Sequence, residues 1–301
     1  MIRTVVAALL AASVSLSCSG GGAGPDSARD QDRTPTESPS VSSFARSASP
    51  SPSRSSATPR DTAGRLHAAA DVLRDATSDA VALRKAGQSV QLEVRELADR
   101  SRKAQRAVLA DLEPGAATVV RACLAAATPL RDLTPPQKKL PKWRIVRPPA
   151  PSVLLRHYRA AERRTGVPWQ YLAAIHLTET RMGRIRGTST AGAKGPMQFL
   201  PSTWEIYGAG GDINDPRDAI FAAARLLKAN GAPRRMAQAL YHYNPSDHYV
   251  RAVSSYARSM RKVPWAYTGY WQWRVLYRHV KGVYALPVGY PKKRAVLIDP
   301  R

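Results

Sequence analysis

The chain has 301 residues, with 46 Lys and Arg against 22 Asp and Glu and a formal net charge of +24. That length holds one or two domains with a normal core, and the charge implies an anionic partner while also keeping a basic surface soluble. No zinc-ligand set and no RNA-binding aromatic motif accompanies the charge, which sets nucleic acid aside as that partner.

Met1-Ile2-Arg3 is a short positive start, and Val5 to Leu16 is a brief apolar run bounded by small residues. The run is too short for a permanent bilayer anchor and reads as a signal peptide over residues 1–18. Cys18 stands where a bacterial lipoprotein carries its lipidated cysteine, with Ser15 where the pattern prefers Leu. The expected address is extracytoplasmic, either secreted or lipid-anchored through Cys18 at the outer face of the membrane. Residues 19–61 are Ser, Pro, Thr, Gly and Arg with scarcely a large apolar side chain, a composition that cannot bury a core and is expected to be a disordered linker.

Residues 62–134 change character. Asp61 or Thr62 caps a first expected helix carrying Leu66, Val72, Leu73, Val81 and Leu83, and Gly87 interrupts it. Val90, Val94, Leu97, Ala104 and Val108 follow at helical steps as a second, and Pro114-Gly115 breaks before a third around Val119–Leu130. This is expected to be a helical hairpin or small three-helix bundle. Cys123 lies in its alanine-rich part and reads as a buried apolar residue with no neighbouring His for thiol chemistry. A proline-rich connector over 135–151 precedes a mainly helical region over 152–290. Its expected helices are 152–165, 168–182, 202–207, 216–230, 234–243 and 247–262, punctuated by Gly166, Gly183, Gly208 and Gly231. Ser202-Thr203-Trp204-Glu205 has the form of a capping box. The rings from Trp265 to Tyr290 are expected to pack the last element, with Val283–Val288 in a short strand or hairpin, and one or two of them to line a groove. Residues 291–301 form a basic tail.

Within that region Glu179 stands out. It falls on the helical face that carries Leu172 and Ile175, where burial penalises the carboxylate. It also lies in the last turn before Met182-Gly183, where the helix dipole disfavours an anion. Both effects keep a proton on the acid near neutral pH, as a general acid requires. The alternative is a salt-bridged Glu, with Arg181 and Arg184 close by. Downstream, Ser189 to Pro201 is a small-residue loop feeding a new helix, with Pro196 suited to its first turn and Gly192 and Gly195 permitting close backbone approach. Tyr243-Asn244-Pro245 ends another helix.

Glu179-Thr180 ending a helix, the Ser189–Gln198 segment, and Tyr243-Asn244 together resemble the lysozyme-like lytic transglycosylases, in particular the membrane-bound type B kind and its actinobacterial relatives. The resemblance covers residues 145–290. Pro196 before Met197, where one branch commonly has Leu, points to the actinobacterial branch, and His242 in place of the usual Ala sets a titratable ring by the cleft. The resemblance implies a lysozyme-like helical domain that cleaves the β-1,4 bond between N-acetylmuramic acid and N-acetylglucosamine in peptidoglycan without water. Glu179 is then acid and base in turn, and the muramic 6-hydroxyl closes a 1,6-anhydro ring. Ser189, Met197, Gln198, Tyr243 and Asn244 are candidates for positioning the glycan.

No cofactor is expected. The stretch Gly211–Pro216 lacks the ligand spacing and closing Glu of a calcium loop, so no metal is expected either. The expected partners are glycan strands and anionic wall polymers, and the protein is expected to act as a monomer. Two alternatives stand beside this one. A muramidase would hydrolyse the same bond and needs a second carboxylate. Asp215 reads as a helix cap and Asp218 as a first-turn acid, leaving Asp212 for that role. A non-enzymatic wall- or polyanion-binding protein is the other, although a pure binder has no need of an acid on an apolar stripe.

Overall fold

The computed structural model describes residues 57–300. The expected signal peptide, Cys18 and most of the 19–61 linker lie outside it. The Thr58 side chain accepts from the Asp61 amide while Asp61 bonds back to the Thr58 amide, and this reciprocal cap starts α1 (Pro59–Arg74). Asp79 caps α2 (Ala80–Ala98) by accepting from the amides of Val81 and Ala82, and Ser101 caps α3 (Arg102–Asp111). Glu113 caps α4 (Pro114–Asp132), whose first residue is a proline. The N-terminal region is thus four helices rather than three. The breaks fall where capping side chains stand, at Asp75–Asp79 and Asp99–Ser101.

Gly87 interrupts nothing; it lies inside α2. A Cβ there would come within 2.5 Å of the Gln272 Cβ and 2.8 Å of the Gly269 carbonyl oxygen, so the missing side chain lets α2 approach the chain around α11 (Ala266–Trp271).

The remaining helices are α5 (Pro151–Thr165), α6 (Trp169–Thr180), α7 (Pro201–Tyr207), α8 (Pro216–Ala229), α9 (Met236–Tyr243) and α10 (Asp247–Lys262). Their ends lie within two residues of the sequence expectation. Gly166 supplies the left-handed residue after α5, Asp215 caps α8 and Ser246 caps α10. The expected capping box at Ser202 does not form. Leu200 occupies the cap position of α7, and Pro201, with its preset φ, starts the helix one residue earlier.

Among the described residues two small sheets complete the fold, which is mainly α. β1 (Arg144–Ile145) pairs antiparallel with β2 (Ile185–Arg186), tying the proline-rich connector to the chain just beyond Glu179. β3 (Val275–His279), β4 (Gly282–Leu286) and β5 (Val296–Pro300) form an antiparallel sheet in that order, so part of the basic tail is its third strand. The connector, poor in N–H groups, offers carbonyls to the tail. Tyr277 donates to Lys139, Tyr290 to Pro141, Trp271 Nε1 to Pro149 and Tyr267 to Pro151, at 2.6–3.1 Å.

One apolar core runs through the described helices, from Leu66 and Leu97 through Val120 and Cys123 to Leu172, Leu177 and Val253. α4 lies along α10, and α10 along α6. A smaller cluster of Ile145, Ile185, Val275, Leu286 and Tyr290 joins the two sheets. α6 is buried on every side from Leu172 to Thr180, not on a single stripe. A helix apolar all round belongs in the middle of a core, and that is where Glu179 is carried.

Candidate active site

At the end of α6, Arg181 (φ 53°) and Met182 (φ 61°) take left-handed conformations and turn the chain sharply. Thr180 holds the turn, its hydroxyl donating to the Pro196 carbonyl at 2.6 Å and accepting from the Gly183 amide at 3.0 Å. Glu179, one residue earlier, is only 3% exposed. Its Oε1 accepts from the Tyr249 hydroxyl at 2.7 Å, and its Oε2 has no partner. No salt bridge joins it to Arg181 or Arg184 among the described residues, which removes the structural alternative raised by the sequence; instead Arg181 bonds the Leu177 carbonyl and Arg184 stacks on Trp271.

Burial therefore acts on Glu179 almost unopposed and pushes its pKa up to about 8, with the Tyr249 hydrogen bond the smaller, opposing influence. The acid is protonated at neutral pH. Since Oε1 is the acceptor from Tyr249, the unpartnered Oε2 is the oxygen free to carry and deliver that proton. The Tyr249 phenol, also buried, is held well above its ordinary value and stays a donor.

Glu179 and Thr178 face a cavity of 620 Å³. Its other walls come from distant parts of the chain: Val94 of α2 and Asp99 just after it, Cys123 and Arg131 of α4, Trp143 of the connector, and Trp273 and Tyr277 of the tail. The tail rings thus serve both roles expected for them. Trp265, Tyr267 and Tyr270 are buried in the core, while Trp273 and Tyr277 reach the cavity. Burial pushes the Cys123 thiol up to about 12, so it lines the cavity as an inert thiol 3.6 Å from the Tyr270 hydroxyl.

The expected glycan-positioning residues are distributed differently. Met197 is fully buried, and its carbonyl accepts from the Tyr243 hydroxyl at 2.6 Å. Tyr243 in turn stacks on Tyr249, with ring centroids 6.2 Å apart and planes 4° from parallel. Met197 and Tyr243 are thereby joined to Glu179 through one ring. Ser189 is buried and accepts from the Ala193 amide at 2.9 Å, closing its loop; the loop residues on the cavity wall are Gly187, Thr188 and Thr190. Gln198 is buried with φ 52° and donates to the Gly195 carbonyl at 2.8 Å, leaving its Oε1 unpartnered. Asn244 is 8% exposed and ends α9. None of these five lines the cavity as its wall is drawn by the described residues.

Pro196 does not start a helix. Residues 195–198 form a turn closed by the Lys194–Phe199 bridge, and the helix waits until Pro201. Gly195 is required there on two counts, its positive φ and a Cβ position that would run into the Ile213 carbonyl. His242 is exposed on α9 and away from the cavity wall, so the ring expected by the cleft is not there.

Of the acids weighed as a second carboxylate, Asp215 caps α8, and Asp218 accepts from the Asp212 amide. Asp212 is exposed and accepts from the Asn214 amide. None lines the cavity. Asp99 does, and it is ion-paired with Arg131. Among the described residues no group of three or more His, Cys, Asp or Glu side chains is arranged to hold a metal ion.

Tyr249, the hydrogen-bond partner of Glu179, is a candidate that the sequence did not single out. The available signal was an aromatic in the first turn of the helix that follows the Tyr243-Asn244-Pro245 stop, and only the packing of α10 on α6 shows which way it faces.

Searches of curated proteins and of solved structures returned no match. Residues 156–265 match the family model of the transglycosylase SLT domain, a family of lytic transglycosylases that act on peptidoglycan, and that segment carries Glu179, Tyr249 and the Ser189–Gln198 turn.

Proposed function

We propose that the protein is a peptidoglycan lytic transglycosylase in which Glu179 alone supplies acid and then base. The observation that carries this reading is the state of Glu179: buried, protonated, with one oxygen unpartnered, in a cavity whose one other carboxylate among the described residues, Asp99, is paired with an arginine.

A glycosidase normally needs two carboxyl groups, and with one the second must come from the substrate. Glu179 donates its Oε2 proton to the oxygen linking N-acetylmuramic acid to N-acetylglucosamine. As that C1–O bond breaks, the acetamido carbonyl of the muramoyl residue bonds to C1. The Glu179 carboxylate then takes the proton of the 6-hydroxyl, and the 6-oxygen displaces the acetamido oxygen at C1. The products are a 1,6-anhydromuramoyl end and a free 4-hydroxyl, and Glu179 is protonated again. The dry surroundings that raise its pKa also disfavour a competing water. Ser189, Gln198 and Asn244 are proposed to act through the loop and helix end they hold, with Met197 and Tyr243 orienting Tyr249 and through it Glu179.

The chain is read as extracytoplasmic, with residues 1–18 directing export, Cys18 a membrane attachment and the stretch from 19 to the start of α1 a tether. No described helix is long and apolar enough to cross a membrane. The +24 charge would draw the protein to anionic wall polymers. The test is mass spectrometry of murein digested by the full chain. Products ending in 1,6-anhydro sugar, lighter by one water than reducing ends, are expected; reducing ends would mean that water is the acceptor and that the protein is a muramidase.

A further inference from the structure

Arg181 has a guanidinium that the fold holds but does not neutralise. It lies two residues beyond Glu179 and lines the same cavity. Its backbone is held left-handed at the end of α6, at φ 53° and ψ 55°. One of its five N–H donors bonds the Leu177 carbonyl at 2.8 Å, and the guanidinium sits 5.9 Å from the centre of the Trp273 ring. It has no carboxylate partner among the described residues.

The other cations of the cavity are accounted for. Arg131 pairs with Asp99 and Arg95 with Asp299, while Arg278 donates to the carbonyls of Arg131 and Thr134. Lys142 is exposed to solvent. Arg181 is partly buried, and a partly desolvated arginine with spare donors is completed by an anion, its planar fork suiting a carboxylate.

We infer that Arg181 is a specificity-determining residue that binds a carboxylate carried by the muramoyl unit whose linkage Glu179 cleaves. The inference rests on the transglycosylase reading and deepens it. Arg181 follows Glu179 by two residues and lines the same cavity, which points to that unit as the source. One source is the lactyl carboxylate, free only on strands from which the stem peptide has been removed; the other is a carboxylate of the stem peptide. If the lactyl group is the ligand, an amide-cleaving reaction must precede this enzyme, because only hydrolysis of the muramoyl–peptide amide exposes that charge.

The experiment measures kcat and KM of the full chain on four strands: peptide-free glycan, peptide-bearing glycan, and each with its carboxylates converted to methylamides. Work at about 0.5 M salt suppresses the diffuse attraction of the net charge, while a desolvated contact is screened much less. The wild type is expected to prefer one charged strand over its methylamide by about tenfold or more, the range of a charge-assisted hydrogen bond in a desolvated site. Which pair shows the preference identifies the source.

Arg181→Gln should erase the preference while cleaving the methylamides at near wild-type rate, and Arg181→Lys should restore part of it. Equal rates on charged and neutral strands by the wild type would overturn the inference. So would an Arg181→Gln defect of equal size on both, the mark of a packing role against Trp273. Should Arg181→Gln fail to fold, Lys142→Gln decides: an unchanged preference leaves Arg181 as its source, and a lost one overturns the assignment. No cleavage of any strand would remove the transglycosylase reading itself, a result distinct from cleavage without preference.

Discussion

The segment 156–265 and the chain on either side of it divide the work of the cavity. The segment holds the acid, the tyrosine that bonds it and the turn that orients both. The flanks supply most of the walls: α2 and α4 before it, the connector alongside, and Trp273 and the β3–β4 hairpin after it. The proposed acid and its hydrogen-bond partner thus lie inside the matched segment, while most of the cavity wall lies outside it. The flanks also share one core with the segment, so the division is chemical rather than a division into separate folding units.

The sharpest way to break the comparison is Glu179→Gln. The amide fills the same space and cannot donate a proton from Oε2, so cleavage should fall by about a thousandfold or more, with strand binding retained. Cleavage rates by reducing-end and anhydro-product assays, beside pull-down of strands, check it; normal cleavage would relocate the acid.

Next in size is removal of the N-terminal flank. Residues 140–301 alone expose the face of α10 against which α4 lies, and this fragment should melt without a cooperative transition while the full chain melts with one. A cooperative, active fragment would show that the helices of residues 58–134 are dispensable walls.

Gly87→Val tests the junction of α2 with Gln272 and Gly269. The added carbons have no room, and the variant should lose about 1–3 kcal/mol by denaturant unfolding.

Tyr249→Phe sharpens the account of the acid itself. The phenol stabilises the Glu179 anion, so its removal should move the upper limb of the kcat/KM profile to higher pH, by roughly one unit or less, with a modest loss of rate. A downward shift would contradict the assigned direction.

Stability follows the same group. Glu179 titrates at about 8 when folded against an ordinary 4.5, so between those values the native state holds a proton that the unfolded chain has lost. Stability contributed by this group is therefore full below pH 4.5 and declines as pH rises towards 8. Glu179→Gln should remove that decline, leaving the variant relatively more stable at pH 8 than at pH 5 in paired thermal melts.

Much of the fold was legible because its signals are local. Asp215 before Pro216, Gly166 after an apolar run and Pro245 after Tyr243 mark helix ends through backbone chemistry that neighbours supply. Glu179 was legible because its penalty follows from the apolar residues of its own helix. The N-terminal breaks were misplaced because Gly87 carries two meanings, helix interruption and close approach, and only the position of Gln272 decides between them. Tyr249, 70 residues from Glu179, was invisible for a related reason: its role exists only once α10 lies on α6. The flanking walls likewise depend on long-range packing, and nothing in the spacing of residues 62–134 announces a cavity.

The protonation state of Glu179 is the most direct test of the whole account. Infrared difference spectroscopy of wild type against Glu179→Gln, followed across pH 4–10, reads the carboxyl stretch of that one group. The account predicts a protonated carboxyl at pH 7 that titrates with a midpoint near 8. A carboxylate at pH 7 with a midpoint near 4.5 would contradict it, since an acid already ionised could not open the glycosidic bond.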